Sequence, residues 1–432
     1  MSERLLIAGG TVIDPANGLE KQADVLVVDG RIQAVGPPGK LDRKDATPLD
    51  AAGCWVTPGL IDIHVHLREP GYEYRETVAT GAEAAVAGGF SAVACMANTK
   101  PVNDNAAVTE YILDRARMAR KARVFPIGAV SVGLEGKQLA EVGEMRRAGI
   151  VAISDDGHPI SDSGLMRRAL EYARLFDMAV IAHEEDCGLA NGGVMNEGPT
   201  SIRLGLKGMP AAAEEAMIAR DISLAELTRG KLHVAHLTTA GAVELVRQAK
   251  RRGLAVTAEA TPHHLFLSEE AVEGYDTNAK MNPPLRGAKD VAALREGVRD
   301  GTIDVIATDH APHHADEKEV EFDCANFGII GLETALPLAL RLIAEAQVPR
   351  DVVIRALTSA PARVLGIPGG TLSPGSPADI TVIDPEVAWT YRSAEGRSKS
   401  KNSPFDGTAM RGRARYTIVG GRIVWPAEED QR

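Results

Sequence analysis

The stretch Gly59–Gly71, GLIDIHVHLREPG, puts His64 and His66 into an apolar run and follows them with Arg68. Strand side chains alternate faces, so the two imidazoles share one face, roughly 6–7 Å apart at Cα and within reach of a single ion. The same grammar, an apolar β-rich run ending in polar groups, recurs in FSAVACMANT, RVFPIGAV, IVAISDDG, MAVIAHEED, KLHVAHLTT, LAVTAEATPHH and TIDVIATDHAPHH. Segments with helical spacing of apolar residues, such as SGLMRRALEYARLF and TAGAVELVRQAKRRG, lie between them. Eight alternations within about 300 residues predict an α/β fold of the (β/α)8 TIM-barrel type. A doubly wound sheet would place a glycine-rich phosphate loop after its first strand, and HLREPG is not one.

Both ends of the chain read differently. DVLVVDGRIQAVG and YTIVGGRIVWP are near-copies of one hairpin, with Asp29-Gly30 and Gly420-Gly421 at two-residue turns. The Pro/Gly/Ser-rich stretch GIPGGTLSPGSPAD marks a boundary. The expected organisation is a composite small β domain, residues 1–55 plus 365–432, around a barrel spanning 56–364.

The net charge of −11 opposes a nucleic-acid or anionic-membrane surface, because both need clustered positive charge. The four cysteines are scattered, with no CxxC pair, and no apolar run approaches the ~18 residues that would span a bilayer. A reducing cytoplasm is the expected location, with a small molecule as the partner.

In a parallel barrel the C-terminal strand ends meet at one rim, where such enzymes keep their chemistry. Ten of the eleven histidines fall at or beside that rim, and His233 is expected at the opposite end. A single histidine there usually only makes hydrogen bonds, and His158, His310 and His314 are read that way. The pair His64 and His66, joined by His183, His236, Asp156 and Asp309, instead forms a nitrogen/oxygen donor set suited to zinc. Six donors exceed one tetrahedral ion and suit two ions about 3.5–4 Å apart. Such ions polarise a carbonyl and acidify water, and a rim carboxylate can carry the proton to a departing nitrogen. Asp309 is assigned that role. Arg68 can clasp a substrate carboxylate, its bland alternative being a rim salt bridge with an acidic loop residue such as Glu69. Asn98 and Asn282 add neutral partners for amide or ureido groups.

Taken together, GLIDIHVHLREPGYEYRETVATG, NTKPV, SDDG, AHEED, AHLTT, ATPHHL, MNPPLR and ATDHAPHH resemble the type I dihydroorotases of the amidohydrolase superfamily, over essentially the whole chain. The resemblance implies zinc-dependent, reversible interconversion of L-dihydroorotate and N-carbamoyl-L-aspartate in pyrimidine (UMP) biosynthesis. It implies one or two zinc ions, two being favoured. His64, His66 and Asp309 would hold one ion, His183 and His236 the other, and Asp156 would bridge where many relatives use a carbamylated lysine. Asp155 is left as a supporting residue. Arg68, Asn98 and His313 would bind the substrate carboxylate, with His66, Asn282, Phe327 and Gly328 completing the pocket. Ala97 stands where the family typically has proline. The alternatives are a hydantoinase or allantoinase acting on a related cyclic ureide, and a non-catalytic partner of aspartate transcarbamoylase. A homo-oligomer or an active chain joined to that transferase is compatible with the sequence. The polar stretch HHADEKEVEFDCANFGIIG reads as a movable cover over the pocket.

Overall fold

The protein is described by a computed structural model covering residues 3–426. Parallel pairing begins at Leu60–Val65, which pairs with Phe90–Cys95, which in turn pairs with Arg123–Pro126. The ladder then narrows to single bridges, Gly128 to Ile153 and Ile153 to Val180. It widens again through Ala179–Ala182, Lys231–Val234, Val256–Ala260 and Val305–Ile306, all parallel. Val65 finally bridges His310 in parallel, so the pairings return to the strand that carries His64. IVAISDDG therefore contributes one bridge residue, not a full strand. The Asp155 carboxylate beyond it leaves the ladder and accepts the backbone N–H groups of Val130 and Ser131, at 2.8 and 3.0 Å.

Strands of a parallel sheet are covered on both faces, which is why they read as unbroken apolar runs. Leu60, Val93, Val124, Val180, Leu232 and Val256 pack outward against the helices. Ile61, Ile63, Ala92, Ile127, Ile181 and Val305 pack into a second cluster on the inner face. Helix Ser163–Arg174 shows how the outer layer is specified. Asp162 caps it by accepting from Leu165 N, and Leu165, Met166, Ala169, Leu170 and Ala173 form its buried stripe. Each buried leucine of that stripe contributes about 1.5–3 kcal/mol. Among the described residues no helix is long and apolar enough to cross a membrane.

The terminal segments share a six-stranded sheet in which Ile380–Thr390 pairs with Trp55–Pro58 on one side and Ala409–Val419 on the other. A four-stranded sheet built from residues 4–50 packs against it. Ile7, Val25, Val27, Val56, Ile380, Val382 and Ile418 fill the space between, so both ends supply one core. In each near-copied hairpin both turn residues are left-handed, with φ of 48° and 75° at Asp29-Gly30 and 55° and 81° at Gly420-Gly421. The two turns touch: a Cβ on Gly421 would lie 2.9 Å from Gly30 Cα. Gly421→Ala should therefore cost about 1–3 kcal/mol, seen as a lower urea midpoint with an unchanged slope. Gly18→Ala, also left-handed but with nothing within 4 Å, should cost about 1 kcal/mol. Equal losses in the two variants would refute the contact between the turns.

Candidate metal centre

The strand ends bring the donors together. Asp156 lies at the middle: its Oδ1 is 3.4 Å from His64 Nε2, 3.4 Å from His236 Nε2 and 3.6 Å from His183 Nδ1, and its Oδ2 is 3.4 Å from His66 Nε2. Asp309 Oδ1 stands 2.8 Å from His66 Nε2 and 3.4 Å from His64 Nε2. His183 Nδ1 is 3.1 Å from His236 Nε2. All six residues are buried. Two subsets, His64–His66–Asp309 and His64–Asp156–His236, have ligand atoms within 4.8 Å of one another and can each hold a metal ion.

The donor set fits a divalent cation. His64 Nε2 is buried and makes no hydrogen bond although two carboxylate oxygens stand 3.4 Å away. These atoms aim at a common point, not at each other. Burial disfavours a charged His64, yet Asp156, Glu259 and Asp309 together push its pKa well above the ordinary value, so the surroundings demand positive charge. Burial also opposes ionisation of Asp156 and Asp309, but the imidazoles outweigh it and hold both below the usual carboxylate range.

The ligands are oriented from behind. Glu259, fully buried, accepts from His64 Nδ1 at 2.6 Å and from His233 Nε2 at 3.1 Å. Asn98 Oδ1 lies 2.9 Å from His66 Nδ1, and Glu185 Oε2 lies 3.5 Å from His183 Nε2. His233 thus sits inside the ring of strands and serves the centre, contrary to the expectation of a remote position. Glu259 was missed in the sequence reading. Its signal was present: a lone acid inside the buried run LAVTAEA.

A cavity of about 390 Å³ opens over the cluster, lined among others by Arg68, Asn98, Asn282, His313, Phe327 and Gly328. Every residue expected to bind substrate borders it. Arg68 donates from Nε to Pro312 O at 3.1 Å and its Nη2 lies 3.3 Å from His313 Nε2. Glu69 pairs instead with Arg115 at 2.6 Å, so the bland reading of Arg68 fails. Burial, with Arg75 nearby, pushes the Arg68 guanidinium down to about 10. Burial and the cations Arg68, Arg75 and Lys318 keep His313 neutral. Asn282 Nδ2 donates to Glu185 at 2.9 Å, leaving its buried Oδ1 without a partner.

Other rim residues do structural work. His264 sits between Thr261 Oγ1 and Pro283 O, at 2.8 and 2.9 Å, and burial pushes its pKa down to about 3. His310 lies 3.4 Å from Glu76, and His314 is exposed beside Asp316. Ala97 does not leave its loop untied, because Ala97 O accepts from Thr99 N and Asn103 N at 2.8 and 3.0 Å. Within the stretch read as a cover, Lys318 Nζ donates to Asn326 O and Gly328 O at 2.7 and 3.1 Å. Lys280 Nζ likewise donates to Phe322 O and Asp323 O, at 2.7 and 3.0 Å.

The fold and this donor cluster define a metal-dependent hydrolase of the amidohydrolase class. An amidohydrolase family profile matches residues 329–425, and a dihydro-orotase-like profile matches residues 53–242. Among solved structures, the L-hydantoinase (dihydropyrimidinase) of Arthrobacter aurescens superposes with a TM-score of 0.88 at 25% identity, covering 98% of this chain and 96% of that one. A dihydropyrimidinase from Brevibacillus agri, at 23% identity and a TM-score of 0.82 over 98% and 95% of the two chains, shares the fold. Sequence relatives are narrower. The dihydroorotase of Syntrophotalea carbinolica is 56% identical over 98% of this chain and 99% of its own, and that of Anaeromyxobacter dehalogenans 57% identical over 98% of both. The chain belongs to the dihydroorotase family.

Two outcomes follow from this geometry. Glu259→Gln removes the acceptor that fixes His64 and should weaken metal binding about 10–100-fold, read by competition with a chelator; unchanged affinity would refute the orienting role. Burial, with Lys280 beside it, pushes the Lys318 amine down to about 7, below the ~10.4 of a free lysine. The folded chain then binds fewer protons than the unfolded one between those values, so this group makes stability rise with pH from about 7 to 10. Lys318→Met should flatten that rise in urea midpoints; identical slopes in the two chains would contradict it.

Proposed function

We propose that this chain opens and recloses the cyclic amide of L-dihydroorotate, yielding N-carbamoyl-L-aspartate, as a zinc-dependent dihydroorotase of type I. The observation that carries the reading is a buried guanidinium, Arg68, with no carboxylate within salt-bridge distance among the described residues, facing the cavity above a metal-fitting cluster. A buried cation without a counter-ion is costly, and a substrate carboxylate removes that cost. Dihydroorotate is a cyclic ureide that bears one.

In this reading His64, His66 and Asp309 would hold one ion and His183 and His236 a second, with Asp156 within reach of both sets. Zinc supplies Lewis acidity toward the amide carbonyl and a lower pKa for water. Arg68, Asn98 and neutral His313 receive the carboxylate, and Asn282 with the Phe327–Gly328 backbone meets the ureido edge. Asp309, kept ionised against burial by the imidazoles beside it, takes the proton of the attacking water. It then gives that proton to the amide nitrogen as the ring opens, and microscopic reversibility makes it the acid and base of ring closure. The returning circuit of parallel pairings supports a closed (β/α)8 barrel over residues 56–364. Pairing of Ile380–Thr390 with Trp55–Pro58 supports a composite β unit from residues 1–55 and 365–432. Retention of all six donors favours a catalytic chain over a non-catalytic companion of aspartate transcarbamoylase.

The test pairs metal analysis with turnover. Wild type should contain zinc and open dihydroorotate in preference to hydantoin and allantoin; the reverse preference defeats the substrate assignment. Asp309→Asn should lose about 10²–10⁴-fold in kcat, and near-normal turnover refutes its proton role. Arg68→Met should raise KM for dihydroorotate by about 10–100-fold, the worth of a charged hydrogen bond.

A further inference from the structure

The carboxylate end of the cavity is built on loops, and one side chain from outside the strand circuit holds two of them. Asn402 lies on residues 398–405, between the 3-10 turn Ser393–Glu395 and strand Ala409–Val419. It is buried, and its amide is used at both ends. Nδ2 donates to Ala311 O and to Gly328 O, each at 3.0 Å, while Oδ1 accepts from His313 N at 3.0 Å. Its backbone carbonyl also accepts from Ile330 N at 3.0 Å. One residue thereby ties the 311–313 and 328–330 stretches on one wall of the cavity, which also meet directly through Ala311 N and Ile329 O at 3.0 Å.

The first of these stretches carries the groups that face Arg68. Pro312 O takes the Arg68 Nε–H, and His313 Nε2 lies 3.3 Å from Arg68 Nη2. Gly328 has φ of +148°, and a Cβ there would lie 2.8 Å from both Ala311 O and His313 Cδ2, so the two stretches are in close contact. The segment bearing Asn402 is itself tied to the rim: Ser400 Oγ donates to Arg75 O at 2.6 Å, and Ser398 Oγ to Glu76.

We propose that Asn402 is a positioning residue for substrate recognition: it fixes His313 and Gly328 in register with Arg68 and acts on binding of the substrate carboxylate, not on the chemical step. The inference rests on the assignment of Arg68 and His313 to that carboxylate. Among the described residues Asn402 makes no hydrogen bond to any of the six donors, so metal content and proton transfer should not depend on it.

The experiment compares wild type, Asn402→Ala and Asn402→Asp, the last having the same shape but no N–H donors. In both variants KM for dihydroorotate should rise at least 10-fold while kcat stays within about threefold and metal content is unchanged. Inhibition by dihydrouracil, the same ring without the carboxylate, should weaken by no more than about threefold, the share of Gly328 at the ureido edge. Equal weakening toward dihydroorotate and dihydrouracil, a fall confined to kcat, or an unaltered KM each overturns the inference. Failure of both variants to fold assigns Asn402 to the architecture and overturns it as well. If wild type itself discriminates no better for the carboxylate than Arg68→Met does, the underlying reading of Arg68 fails instead, a result distinct from any of these.

Discussion

Glu259 carries a full carboxylate in a place water does not reach, and its two oxygens are divided between His64 and His233. Taking such a charge out of water costs several kcal/mol unless it is paired. The pairing has a chemical consequence. With Nδ1 of His64 donating to a carboxylate, Nε2 is the ring atom turned toward Asp156 and Asp309, placed to ligate a cation between them. Asn98 does the same for His66, and Glu185 for His183. His236 N also donates to Glu259 Oε1, at 3.3 Å, so one acid steadies three histidines drawn from two strands that do not pair with each other. The cluster is a product of what lies behind it.

Holding that cluster strains the backbone. Arg68, His236 and Asp309 have φ of 62°, 31° and 46°, the left-handed region that costs a side-chain-bearing residue about 1–3 kcal/mol. The flanking hydrogen bonds leave them little choice. His66 N donates to His310 O and Leu237 N to Glu259 O, both at 2.9 Å. Asp62 accepts from His64 N at 3.1 Å and from Thr308 N at 3.2 Å, and the pairing register slips between Asp62 and Val65. The strain sits where the side chains must converge, and it is held by main-chain bonds between strands that lie far apart in sequence.

This also explains what could be read from residues alone. HVH, the DG and GG turns and the apolar-then-polar runs are local signals, governed by strand alternation and turn stereochemistry, and the described elements follow them. IVAISDDG carried the right polar groups, but not that Asp155 would bind Val130 and Ser131 and leave Ile153 as a lone bridge. His233 looked remote because position along a strand does not reveal which residue across the ring it meets. Its partner Glu259 is 26 residues away, and the other imidazole on Glu259, His64, is 195 residues from that acid. Asn402 stands 91 residues beyond Ala311. Contacts of that range are set by topology and have no periodic signature.

Fold similarity does not choose the substrate here. The Arthrobacter aurescens L-hydantoinase superposes with a TM-score of 0.88, so the scaffold is not peculiar to dihydroorotases. The difference must lie in what an uncharged ring would leave unsatisfied. Arg68 is buried beside a histidine that the surrounding cations keep neutral, and its Nε contact is a neutral carbonyl. A ring without a carboxylate would bury that guanidinium still deeper and return nothing to it, whereas a carboxylate restores charge balance and accepts hydrogen bonds. A site built around a polar group rejects ligands lacking it far more strongly than an apolar pocket rejects an added methylene. On the proposed reading, then, the groups lining the cavity above the donor cluster, not the shared scaffold beneath it, would select the anionic ring.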